Sequence, residues 1–104
     1  MNYDFLPEAE TEFEQAVAYY DQHGFGLGDE FADEIQDAIQ RILAHPEAWQ
    51  SYHHGTRRCL TRRFPYGVVY QIQPTQILIV AVVNLWREPG YWGERLSEPK
   101  KPLL

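Results

Sequence analysis

Four arginines fall within seven positions of the stretch RRCLTRR, residues 57–63, and a fifth opens the string Arg87-Glu88-Pro89-Gly90-Tyr91-Trp92. A guanidinium is a planar fork of N–H donors that matches a phosphate or a carboxylate two bonds at a time. Arg57, Arg58, Arg62, Arg63 and Arg87, with Trp92 beside them, are therefore the candidate residues for gripping an anionic partner. In an extended segment successive side chains alternate. Arg58, Leu60 and Arg62 then share one face, while Arg57, Cys59, Thr61 and Arg63 share the other. One set would lie over a neighbouring layer with its stems covering apolar surface, and the other would reach an open face. The residues alone leave open whether the anion there is nucleic acid or polypeptide.

Other chemistry-bearing residues form weaker groupings. His53 and His54 are adjacent but lack a third and fourth donor, and His23 and His45 lie apart, so no metal site is expected. Cys59, the single cysteine, reads as buried filler between strand neighbours, and with no partner for a disulfide it fits a reducing, cytoplasmic setting. No cofactor motif is present.

The charge that these arginines carry is hidden in the bulk numbers. The 104 residues hold 15 acids against 9 lysines and arginines, a net charge of −6. Residues 1–50 carry twelve acids and the single base Arg41, whereas the second half is net basic. An overall acidic chain argues against a general nucleic-acid binder, but one half has a local positive field. With 44% hydrophobic and 14% aromatic residues, the chain can bury a core as one domain. No signal peptide is visible at the start, and the longest apolar run, ILIVAVV at 77–83, is too short to cross a bilayer, so no membrane role is expected.

The elements that must position the arginines follow from periodicity. Asn2 to Leu6 reads as a short strand. Ala9, Phe13, Ala16, Val17 and Tyr20 recur at helical spacing behind Pro7, which gives a helix over about 7–22. Phe31, Ile35, Ala38, Ile39 and Ile42 repeat the same offsets and give a second helix over about 27–44. The Gly-rich joint GFGLGD makes the pair an antiparallel hairpin. Strands then follow over Arg57–Arg63, Val68–Gln73 and Ile77–Leu85, with turns at Pro65–Gly67 and Pro74–Gln76. The last strand does not alternate, as expected of a central strand covered on both faces, with a buried helix as the competing reading of the run. The helices cover one face, and something else, such as another chain, must cover the other. The fold class is α+β: a helical hairpin on one face of a small, mainly antiparallel sheet. One domain over 1–96 and a flexible tail over 97–104 complete the expectation.

In this order and spacing, AVAYY (16–20), GLGDEF (26–31), IQRILAHP (39–46), RRFPYGVVYQI (62–72) and ILIVAVVNLWREPGYW (77–92) resemble the RelE/ParE family of toxins from bacterial type II toxin–antitoxin systems. The resemblance implies a small toxin neutralised by a cognate antitoxin. RelE-like members cleave mRNA in the ribosomal A site without metal, and ParE-like members poison DNA gyrase and cleave nothing. For a nuclease, the resemblance would place Arg62 or Arg63, Arg87 and Tyr91 in the active site. Cleavage through the 2′-oxygen needs a base, an acid and cations for the phosphorane. The strands carry no lysine, no histidine follows His54, and a phenol with a pKa near 10 is a poor base. The sequence thus favours the ParE-like mode, with Arg87–Trp92 as a structural closure whose aromatics pack and whose arginine pairs with a helix carboxylate. A ribosome-dependent endonuclease and a non-toxic interaction module of the same fold are the alternatives. Without antitoxin, the uncovered sheet face would favour self-association, a homodimer for example.

Overall fold

A computed structural model describes residues 1–96. Its elements run β1 (Asn2–Phe5), α1 (Pro7–His23), α2 (Leu27–Ala44), β2 (Arg57–Leu60), β3 (Tyr66–Ile72) and β4 (Gln76–Asn84), with single 3₁₀ turns at His53–Gly55 and Gly93–Leu96. The strand order is β1-β4-β3-β2, with β1 parallel to β4 and the other pairs antiparallel. The α+β expectation and both helix spans agree with this architecture. The proposed tail over 97–104 lies outside the described residues.

The helix layer is built as the apolar spacing dictates. Phe31, Ile35, Ala38, Ile39 and Ile42 of α2 are wholly buried, and Ala9 and Ala16 of α1 are buried beside them. They meet Val68, Tyr70, Ile77, Ile79 and Val82 from the sheet, with Phe5, Phe13, Tyr20, Phe64 and Tyr66 packed around the rim. At the hairpin joint Gly28 approaches α1 so closely that its N–H donates to Asp21 Oδ1 at 3.0 Å.

The sheet departs from regular alternation at one place. The β3–β4 register slips between Val69, opposite Ala81, and Tyr70, opposite Ile79, so Val80 is an extra residue on β4. Such a bulge turns two consecutive side chains toward the same face. Ile77, Ile79 and Val82 accordingly face the helices, while Val80, Ala81 and Val83 join Val69 on the opposite face. The unbroken apolar run of the sequence thus reflects burial on both faces together with a change of parity in mid-strand.

The second face is not left for another chain. After β4 the chain turns back as a strap, residues 85–96, and places Trp92, 1% exposed, against Val69, Val80, Ala81 and Val83, with Tyr52, Tyr91 and Leu96 around it. The expected self-association through this face therefore loses its basis. Burying a tryptophan here contributes about 3–5 kcal/mol relative to alanine.

Strand β2 is also shorter than the sequence pattern suggests and ends at Leu60. The cause is Glu34 of α2. Its Oε1 accepts the backbone N–H groups of Arg62 and Arg63 at 2.8 and 2.9 Å, in place of strand partners. Thr61 closes the same turn, its hydroxyl donating to Phe64 O at 2.7 Å. Burial opposes ionisation of Glu34, but the backbone and side-chain hydrogen bonds from Arg63 and from the Arg62 amide outweigh it and hold its carboxyl below 4.5.

The hairpin joint gives a test whose sign is diagnostic. In an ordinary helical position Gly→Ala stabilises by about 1 kcal/mol. A Cβ at Gly28 would lie 2.3 Å from Asp21 Oδ1 and 2.7 Å from the Val17 carbonyl oxygen. Gly28→Ala is therefore expected to destabilise by about 1–3 kcal/mol, read as a lowered urea midpoint; a raised midpoint would contradict this packing.

Candidate functional site

The site grows from an unfinished strand edge. Strand β1 ends at Phe5, opposite Ile79, so β4 continues from Val80 to Asn84 with no strand on that side among the described residues. Buried backbone polar groups need partners, and two side chains from distant parts of the sequence supply them. Glu12 of α1 accepts the Val82 N–H through Oε1 at 3.1 Å. Arg95 of the strap donates from Nη1 to the Val80 carbonyl at 3.1 Å. The two side chains bind each other through both oxygens, Nη1 to Oε1 at 2.8 Å and Nη2 to Oε2 at 3.0 Å. The Tyr91 hydroxyl donates to Glu12 Oε2 at 2.5 Å. One carboxylate thus ties α1, the bulged strand and the strap together.

The Tyr91 phenol responds to this setting. Burial raises its pKa first, and the hydrogen bond to Glu12 with the carboxylate's charge raises it further, against smaller opposing effects of Arg87 and Arg95. The phenol stays protonated well above its ordinary value of 10 and acts as a fixed donor.

The arginines sort into three groups. Arg62 and Arg63 belong to the helix layer: Arg62 Nε lies 3.6 Å from Asp37, and Arg63 pairs with Glu30 at 3.2 Å and Glu34 at 3.0 Å. Arg57 caps loop carbonyls, donating to Trp49 O at 2.7 Å and Glu47 O at 3.2 Å. Arg58 and Arg87 have no carboxylate within ion-pair distance among the described residues. The guanidinium of Arg58 lies 4.2 Å from the centre of the Tyr52 ring, and that of Arg87 3.9 Å from the centre of the Tyr91 ring. Arg87 therefore does not pair with a helix carboxylate as the sequence suggested; Arg95 does, with Glu12.

The four residues that a nuclease would need are not brought together. Arg62 and Arg63 pair with α2, whereas Arg87 and Tyr91 belong to the strap and line the groove at the β4 edge beside α1. Of the proposed binding set, Arg58, Arg87 and Trp92 line one cavity of about 130 Å³, together with Tyr52, Val83 and Glu88. A larger groove of about 510 Å³ runs between α1 and the unpartnered stretch of β4, lined by Tyr19, Tyr20, Tyr66, Asn84, Trp86 and Arg87. Trp86 is 85% exposed and Tyr19 54% exposed at its rim. Sequence reasoning missed Glu12 and Arg95. Glu12 reads as one glutamate in an acidic helix, and no sequence signal sets it apart. Among the described residues no three His, Cys, Asp or Glu side chains gather as a metal site would require, and no helix is long and apolar enough to cross a membrane.

The strap is fastened a second time by His54, whose Nε2 lies 3.2 Å from Gly90 O. A Cβ at Gly93 would fall 2.6 Å from the same nitrogen, so only glycine allows this approach.

Comparison with known proteins agrees with this architecture. The sequence profile of a family described as the ParE toxin of type II toxin–antitoxin system, parDE, matches residues 3–84. No curated protein sequence matches the chain. Among solved structures, a chain of a chromosomal ParDE toxin–antitoxin system from P. aeruginosa has a similar fold, with a TM-score of 0.63 at 14% identity over 82% of this chain and 96% of that one.

Glu12 is the test of the site's construction. Glu12→Gln keeps the shape but leaves Arg95 without a counter-charge. Both side chains retain some exposure, 15% and 16%, so the expected loss is about 2–3 kcal/mol, below the cost of breaking a fully buried pair. The Tyr91 phenol should fall back toward 10 as the carboxylate's contribution is removed. In the parent protein the folded pKa is raised, so the contribution of Tyr91 to stability is complete below pH about 10 and declines above it, where only the unfolded phenol ionises. Urea melts and tyrosinate absorbance against pH measure both; an unchanged Tyr91 titration in Glu12→Gln would refute the arrangement.

Proposed function

We propose, on the premise that this chain belongs to the ParE toxin family of type II toxin–antitoxin systems, that it is a cytoplasmic toxin held in check by a bound antitoxin and that, when free, it acts on DNA gyrase without cutting RNA. The observation that carries the non-nuclease part is the state of Tyr91. Its hydroxyl proton is held by Glu12 and its pKa is raised, so it can serve neither as a base nor as a mobile acid near neutral pH. Among the described residues no histidine or lysine lines a cavity with Arg87, and Arg62 and Arg63, the cations of segment 57–63 that a nuclease would use, are ion-paired to α2. The acidic chain is also poorly suited to docking on ribosomal RNA. The resemblance to ParE-like toxins supplies gyrase as the target.

Support for an antitoxin comes from the β4 edge and its groove. Such a site suits an amphipathic helix laid in the groove or an extended segment added beside the strand. The exposed Trp86 and Tyr19 at the rim offer apolar anchors of the kind that dominate interface energies.

Expression of this chain alone from a tightly repressed promoter should arrest growth, and the purified protein should inhibit supercoiling by gyrase while mRNA on programmed ribosomes stays intact. mRNA cleavage that Arg87→Ala abolishes would replace this reading with a ribosome-dependent endonuclease. Unimpaired growth with unaffected gyrase would leave only an interaction module.

A further inference from the structure

Six of the seven arginines of the chain lie outside α2, and the structure commits four of these six to partners inside the molecule: Arg57 to loop carbonyls, and Arg62, Arg63 and Arg95 to helix carboxylates. The other two, Arg58 and Arg87, line the same cavity between the outer sheet face and the strap. Both are held by aromatic platforms that are themselves anchored. Tyr52 accepts a hydrogen bond from Arg58 Nη1 at 2.9 Å and stacks on buried Trp92 with ring centres 5.2 Å apart. Tyr91 is fixed by its bond to Glu12. A cation held over a ring loses little freedom on binding an anion, because its side chain is already ordered. Trp92, in the cavity wall, adds a buried indole N–H with no acceptor among the described residues.

We propose that the Arg58–Arg87 cavity is a receptor for one carboxylate of a bound polypeptide, an Asp or Glu side chain flanked by apolar residues. Three observations select this ligand. The cavity of about 130 Å³ has room for a carboxylate and its methylenes but not for a nucleotide. Glu88 also lines it, and its negative charge leaves a balance of one positive charge, which suits one carboxylate better than a polyphosphate. The rest of the lining is largely apolar and holds no further cation: Val83, Leu85, Pro89 and Trp92 complete the wall. Nucleic acid would require further cations to follow its backbone, whereas Arg57 caps loop carbonyls and Arg62 and Arg63 pair with α2. The site is defined by geometry alone; that its carboxylate belongs to an antitoxin rests on the function proposed above.

The test uses NMR of the full chain with sodium acetate as the first probe and sodium chloride at equal ionic strength as the control. The Arg58 and Arg87 Nε–H signals and the Trp92 indole N–H should shift saturably with acetate, while those of Arg62 and Arg63 stay still. A capped peptide Leu-Glu-Leu-Leu should bind at least tenfold more tightly than its Gln counterpart, and Arg58→Gln and Arg87→Gln should each remove that preference while the spectrum stays dispersed. Equal shifts in chloride, or equal binding of the Glu and Gln peptides, would overturn the proposal. So would a twelve-nucleotide single-stranded RNA that displaces acetate with steep salt dependence, since the site would then belong to nucleic acid. Growth arrest and gyrase inhibition are read separately, so a chain that binds the Glu peptide without arresting growth would keep the receptor and lose only the toxin assignment.

Discussion

The architecture depends on a mismatch of strand lengths. Strand β4 has nine residues and its parallel neighbour β1 has four. The remainder of that edge must find hydrogen-bond partners elsewhere or stay in contact with water. Glu12 and Arg95 resolve this by meeting a backbone donor and a backbone acceptor beside the bulge and then neutralising each other. Because Arg95 and Tyr91 belong to the strap, the same solution fixes the strap, and the strap covers the second sheet face with Trp92. Edge satisfaction and core completion are therefore one event, centred on a single carboxylate.

Much of the scaffold was legible in the sequence because its signals are local. Two matched apolar stripes gave the hairpin to within a residue or two at each end, and Pro7 and the Gly-rich joint marked its limits. The run Ile77–Val83 correctly indicated a strand buried on both faces. What the sequence could not show is long-range. Arg57–Arg63 has the composition of one continuous strand, yet Glu34, distant in sequence, captures two of its backbone N–H groups and turns the chain after Leu60. The bulge at Val80 has no glycine or proline to announce it. Glu12 gains its role only when residues 70 or more positions away are brought to it.

The arginines show the same distinction between type and place. Their clustering correctly pointed to a polarised molecule, but two of the four arginines of segment 57–63, Arg62 and Arg63, pair at the surface with carboxylates of α2. Spacing alone assigned Arg62 to the face of Arg58, and the early end of β2 separated them. Arg87 kept its expected place after the last strand but took an aromatic partner where a carboxylate was anticipated. The family profile ends at residue 84, the last residue of β4. The strap thus lies beyond the matched region, while its main anchor, Glu12, lies within it.

The bulge has a consequence for how β4 can vary. Val80 shifts the inside–outside frame of everything after it, so Ile79 and Val82 point to the helices although an even and an odd position would oppose each other in a regular strand. Excising Val80 would leave Ile79 facing in, Ala81 out and Val82 in, the alternation of a regular strand, so every remaining apolar group would keep its layer and only the carbonyl that Arg95 binds would be lost. Tolerance in this strand is therefore asymmetric: loss of the doubled residue at the bulge keeps the remaining apolar groups in their layers, whereas loss of a regular residue such as Leu78 would put one of its neighbours on the wrong face.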